Sequence, residues 1–177
     1  MVQYCQKEVN TMQFRKADPQ DLPQLTEMYA RIYKDMQSKG IYLWNEQYPA
    51  GALPGDISAG RLWLLCGSGT VAAAFALDTD EPCGDIQWQE PSAKAAILMR
   101  LGVDPACSGK GLGRSCIEFA LEKARSCGFE FLRLIVADCN VPAGRFYDKC
   151  GFTRVPGVHL EQFGGEVLTG YGCEFRL

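Results

Sequence analysis

Two nearly continuous apolar runs, Ala95–Val103 and Phe131–Ala137, bracket a stretch that opens on a glycine-rich turn. Runs of strand length without polar alternation need cover on both faces, as the central strands of a sheet do. Between them, Leu112, Cys116, Ile117, Ala120, Leu121 and Ala124 fall on one helical stripe, and Gly128 stands past its end. Strand, helix and strand in that order predict a β-α-β unit, hence a parallel strand pair inside a layered α/β core.

The flanking segments extend that core. Met12–Lys16 predicts a short strand. Asp18 then caps a helix with Pro19 at its first position, followed by Leu22, Leu25, Tyr29, Ile32 and Met36 at helical spacing and by Gly40 as a stop. The aromatic segment from Ile41 to Gly55 reads as a loop, with one short helix near residues 56–60. Arg61–Cys66 and Thr70–Leu77, joined by Gly67-Ser68-Gly69, predict an antiparallel hairpin on a three-residue turn. Residues 78–94 are polar and read as a loop. Asn140 caps a last helix with Pro142 in its first turn and Gly151 past its end. Weak strands are expected at Phe152–Val155 and Gly170–Phe175. The whole is a mixed α/β fold in one domain over residues 12–177, after a polar lead-in over residues 1–11.

Charge narrows the partners. Eighteen Lys and Arg stand against 21 Asp and Glu, a net charge of −3. A nucleic-acid binder needs a clustered positive excess, so none is expected. No apolar run approaches the roughly 18 residues of a membrane span, and the opening MVQYCQKEVN has no basic region followed by an apolar one. The nine cysteines are an odd number without a C-x-x-C pair, and His159 is the only histidine. Neither a disulfide framework nor a zinc site fits, and no metal is expected. A reduced, cytoplasmic protein is expected, with cysteines that serve mostly as small buried apolar residues.

The turn between the central strands is VDPACSGKGLGRS, Val103–Ser115. Gly109, Gly111 and Gly113 strip side chains from a helix N-terminus, where free N–H groups and the helix dipole favour an anion, and Lys110 and Arg114 add positive charge. A pyrophosphate cradle and an empty tight turn are both consistent with this. The Walker pattern fails, because Lys110 is followed by Gly111. A dinucleotide fingerprint fails too, with Arg114 or Cys116 where the last Gly belongs.

The segment resembles the coenzyme A loop of the GNAT superfamily of acyl-CoA N-acyltransferases. Their strand ends Leu-x-Val-x-Pro, here Leu101 to Pro105, and their loop runs Gln/Arg-x-x-Gly-x-Gly/Ala, here Ser108 to Gly113. Their second signature, N-x-x-A-x-x-F/L-Y-x-x-x-G-F, is matched in full from Asn140 to Phe152. One departure stands out: Ser108 occupies the position of the usual Arg or Gln. The resemblance implies a central, mostly antiparallel mixed sheet with a splayed strand pair and helices on both faces.

It also implies acetyl-CoA as co-substrate. Leu101, Gly102 and Val103 would line the pantetheine arm with backbone groups. Ser108, Gly109, Lys110, Gly111, Leu112, Gly113 and Arg114 would hold the pyrophosphate, and Asn140, Ala143, Phe146 and Tyr147 would complete the site. Tyr147 takes the position of the general acid that protonates the departing thiolate. For the base, Glu46 leads over Asp85, Glu90 and His159, because it lies in the aromatic segment on the acceptor side, where Trp44 and Tyr48 would wall the acceptor. His159 reads equally as a loop residue. Direct attack by an amine needs no acyl-enzyme, and Cys107 is the one cysteine beside the loop. The implied reaction is acetyl transfer to the primary amine of a small molecule or amino acid. A protein N-terminus or lysine as acceptor, or an acyl-CoA sensor without turnover, are the alternatives. A homodimer is a further expectation, on the apolar hairpin Val71–Leu77.

Overall fold

The computed structural model describes residues 12–79, 85–163 and 166–177. The polar lead-in, with Cys5, and Cys83 in the 78–94 loop lie outside them. The elements are β1 (Gln13–Lys16), α1 (Leu22–Ser38), α2 (Leu53–Ser58), β2 (Leu62–Gly67), β3 (Thr70–Asp78), β4 (Ala95–Val103), α3 (Leu112–Ser126), β5 (Phe131–Ala137), α4 (Val141–Lys149), β6 (Thr153–Arg154), β7 (His159–Phe163) and β8 (Glu166–Arg176). They form one sheet in the order β1-β2-β3-β4-β5-β8-β6, with β7 on the other half of the edge of β8 that carries β6. Only β4 and β5 run parallel; every other pair is antiparallel. This is the mixed α/β fold expected from the resemblance.

Local chemistry explains where elements begin. Asp18 and Asp21 close a capping box over a short 3-10 turn that leads into α1. The helix buries Leu25, Met28, Tyr29, Ile32 and Tyr33, one stripe at helical spacing. Together with α2 it covers one sheet face, against Leu64, Val71, Ala74 and Ala76. The other face carries α3, whose Cys116, Ile117, Ala120 and Ala124 pack on Ala73, Phe75, Leu98 and Leu132. The alternating residues of β3 therefore feed two cores. Its apolarity is that of a central strand: Val71–Ala76 are buried within the chain itself.

Several expectations are corrected. The hairpin turn has two residues, not three: Gly67 pairs with Thr70, and Ser68 and Gly69 both take positive φ (49° and 75°), the geometry that matches strand twist. The 78–94 segment is not wholly polar in role, since Ile86 and Trp88 are buried with Val155 in a small third core. His159 is not in a loop but opens β7. HLEQF has no strand pattern of its own; its ladder with β8 holds it. Of the seven described cysteines only Cys116 and Cys173 are buried, while Cys127 and Cys139 are exposed, the first just past the end of α3 and the second in the turn before α4. Burial pushes the Cys116 thiol up to about 12 and the Cys173 thiol up to about 11. None of the helices of the described residues is long and apolar enough to cross a membrane.

Candidate active site

The parallel pair at the sheet centre is hydrogen-bonded only over Ala95–Ile97 and Phe131–Arg133. Beyond Ile97 the two strands part, and β5 pairs with β8 alone. A bulge helps to turn β4 away. Where it faces β3, one residue, Phe75, stands opposite two, Arg100 and Leu101, and Arg100 takes φ +54°. That conformation is rare for a side chain as large as Arg and is held by its surroundings. The Tyr29 hydroxyl donates to the Arg100 carbonyl at 2.7 Å, and Asp56 of α2 grips the guanidinium twice, at 2.8 Å on Nε and 2.7 Å on Nη2. Asp56, 1 % exposed, also receives Arg61, which in turn pairs with Asp78. Gly102 is required next to the bulge, because a Cβ there would lie 2.8 Å from Ile32 and 3.0 Å from Tyr29.

The splay opens a cleft of about 470 Å³. Ile32 and Met36 of α1 and Leu43, Trp44 and Tyr48 of the aromatic loop line one side. The floor is Ile97–Leu101 of β4 and Ile135–Ala137 of β5. Asn140, Ala143 and Tyr147 of α4 line a third part, and His159, Glu161 and Leu168–Gly170 of β7 and β8 close the rest. Asn140 Oδ1 accepts from the Ala143 N–H, capping α4. Tyr147 stacks edge-on against Phe146 and Phe152, and burial raises its phenol above the ordinary value, so the hydroxyl stays protonated.

At the parted end of β4 the chain enters the glycine turn. Asp104 accepts from the Ala106 N–H at 3.0 Å and from the Arg31 guanidinium at 2.7 Å, fixing the turn to α1. The N–H groups of Cys107 and Ser108 close back on Asp104 and Pro105. Gly109 and Gly111 both take positive φ, and Gly111 caps α3. Across residues 109–114 none of the backbone N–H groups has a partner among the described residues. That row of donors at a helix N-terminus fits a pyrophosphate. Gly113 lets α4 close in: a Cβ there would meet Phe146 at 3.2 Å. Ser108, Lys110 and Arg114 are exposed, and Arg114 donates to the Lys149 carbonyl at 2.9 Å, which ties it to the end of α4.

The cleft thus brings together Leu101, Asn140, Ala143, Tyr147, Trp44, Tyr48 and His159 of the residues expected from sequence. It does not include Glu46, which is exposed and accepts from the Tyr33 hydroxyl at 3.4 Å. Asp85 is exposed, and Glu90 pairs with Arg176, both away from the lining. Two charged residues of the lining are not among those the sequence singles out. Arg100 had a signal, as the one charge in a nine-residue apolar run, and Glu161 had only its position two residues from His159. Among the described residues no group of three His, Cys, Asp or Glu is placed to hold a metal ion.

Mycothiol acetyltransferase of Beutenbergia cavernae is 38% identical over 71 residues, 40% of this chain and 24% of that protein, so the chain spans about a quarter of that curated relative. Among solved structures, a GNAT family acetyltransferase from Listeria monocytogenes superposes with a TM-score of 0.74 at 20% identity, covering 94% of this chain and 95% of that one. The structure of yncA from Salmonella typhimurium with its cofactor acetyl-CoA superposes with a TM-score of 0.64 at 19% identity, covering 94% of each chain. The family model for acetyltransferases of the GNAT family matches residues 22–152, from α1 through the glycine turn to the end of the second signature, and the chain belongs to that family.

Proposed function

We propose that this protein transfers an acetyl group from acetyl-CoA to the primary amine of a small molecule by direct attack. The observation that carries the reading is the adjacency of two features: a row of unpartnered N–H groups at the head of α3, and a cleft between parted strands with Tyr147 on its wall. When bound, acetyl-CoA supplies an acyl group on a thioester, whose C–S bond breaks as the amide C–N bond forms. The glycine turn holds the pyrophosphate, and Leu101 and Asn140 border the pantetheine arm. Backbone N–H groups freed where β4 parts from β5 stand ready for negative charge on the carbonyl oxygen. Tyr147, kept protonated by burial, gives its proton to the departing sulfur.

An ammonium must shed a proton before it attacks. His159 and Glu161 lie two apart on β7, line the cleft, and have no partner among the described residues, so they accept the proton in this reading. Glu46 is the alternative acceptor, reached only from outside the lining. The volume of the cleft favours a small acceptor once the acyl arm is in place.

The test is acetyl-CoA consumption over an amine panel, with CoA followed by chromatography because exposed Cys127 and Cys139 would consume a thiol reagent. Amine-dependent CoA release is expected. Binding of acetyl-CoA with no release for any amine would replace the enzyme by a sensor. Glu161→Gln, His159→Gln and Glu46→Gln, compared in kcat, assign the proton acceptor.

A further inference from the structure

The cleft is charged in a particular way. Among the described residues lining it, Arg100 is the only Lys or Arg and Glu161 the only carboxylate, one on β4 and the other on β7. Ile32, Met36 and Leu43 make one wall apolar, and the other polar groups of the lining, Tyr48, Asn140, Tyr147, His159 and Thr169, carry no fixed charge.

Arg100 is oriented by its partners. Asp56 takes Nε and Nη2, which leaves Nη1 with only the Tyr48 hydroxyl at 3.5 Å and the Met99 sulfur at 3.9 Å. Both contacts are at the outer limit of hydrogen bonding. The side chain is 9 % exposed, so few waters compensate. Asp56 in turn divides its charge between Arg100 and Arg61. One edge of a rigid, buried guanidinium is therefore short of acceptors, and it is the edge that Asp56 does not cover. A fork held in advance loses little freedom on binding an anion, which is the condition for selective recognition of a carboxylate.

We propose that Arg100 Nη1 receives the carboxylate of the acceptor, and that the acceptor is a free α-amino acid with an apolar side chain. Its side chain lies against Ile32, Met36 and Leu43. A polyamine or aminoglycoside offers no group to Arg100. A peptide N-terminus offers an amide where the carboxylate belongs. The inference rests on the acetyl-transfer reading above and narrows its acceptor.

Leucine, methionine and phenylalanine, each beside its carboxamide and its decarboxylated amine, test it. Rates at fixed acetyl-CoA are paired with calorimetric titration of the same compounds into CoA-loaded protein. The acids are expected to exceed their amides in kcat/KM and in affinity by about tenfold or more, as for loss of a charge-assisted hydrogen bond. The less basic amine of the amides favours the opposite order, so the comparison is conservative. Arg100→Lys is expected to bring the ratio near one. Equal or better use of the amides overturns the proposal, in favour of peptide N-termini, and so does an unchanged ratio in Arg100→Lys. If no amine is acetylated, the enzymatic reading fails, and the acid-to-amide ratio in the calorimeter still decides the role of Arg100.

Discussion

The buried hydroxyl of Tyr29 donates to the main-chain carbonyl of Arg100 at 2.7 Å, joining α1 to the bulge where β4 leaves the sheet. Residues 71 positions apart are thereby coupled at the point where the cleft begins. Burial raises the Tyr29 phenol far above its ordinary value, so it remains a donor at any working pH.

Removing that donor leaves a half-buried carbonyl without its partner. Tyr29→Phe is expected to cost about 1–2 kcal/mol. For a chain of this length that is a fall in Tm of about 2–8 °C by calorimetry. With the bulge relaxed, kcat should fall as well. An unchanged Tm and kcat would mean that the bulge is held without Tyr29.

Tyr147→Phe removes one oxygen from the cleft wall and leaves the aromatic packing on Phe146 and Phe152. Its kcat is expected to fall about 100-fold, with the KM for acetyl-CoA within about twofold of the parent. Because the phenol pKa is raised, its acid form persists to higher pH than an ordinary tyrosine. The parent pH–rate profile should therefore show no loss of rate from tyrosine ionisation up to about pH 10. A falling limb below that, absent in Tyr147→Phe, would contradict the buried-acid assignment.

Gly109 and Gly111 have open space around an added Cβ, so only their positive φ opposes a side chain. Gly109→Ala and Gly111→Ala are each expected to cost about 1 kcal/mol through backbone strain. That strain tilts the row of N–H donors, and KM for acetyl-CoA should rise several-fold while kcat at saturation changes little. Measured KM values equal to the parent would show that the donors are not used.

Asp104 lies buried at the mouth of the same turn. Burial alone would lift its carboxyl, but the Arg31 guanidinium and the Ala106 N–H prevail and hold it below the ordinary value. A group depressed in the folded state stabilises above its unfolded pKa, near pH 4, and loses that contribution as pH falls through the folded value. Asp104→Asn is therefore expected to lower stability at pH 7 by about 1 kcal/mol, given the half-exposed Arg31. The difference should shrink toward pH 2. Denaturant titrations at the two pH values check the sign.

The central β-α-β unit, the capped first helix and both signatures were legible because each is a local pattern. Apolar runs, helical stripes, Asp18 and Asn140 caps and the glycines at 109, 111 and 113 need no distant partner to be recognised. β7 was not legible, since His159–Phe163 is mostly polar and is a strand only by pairing with β8. The roles of Ile86 and Trp88 were hidden for the same reason: their burial depends on Val155, about 70 positions on.

By itself the sequence determined the family, the layered α/β architecture and the site of the glycine turn, because these follow from periodicity and from short motifs. Only the tertiary structure decided what faces the cleft. It set Glu46 outside the lining, brought His159 and Glu161 into it, and turned Arg100 toward the aromatic loop with Asp56 behind it. The physical reason is that strand parting, a bulge and a buried ion pair arise from contacts between residues far apart in the chain. No local pattern of residues encodes where those contacts leave a group free.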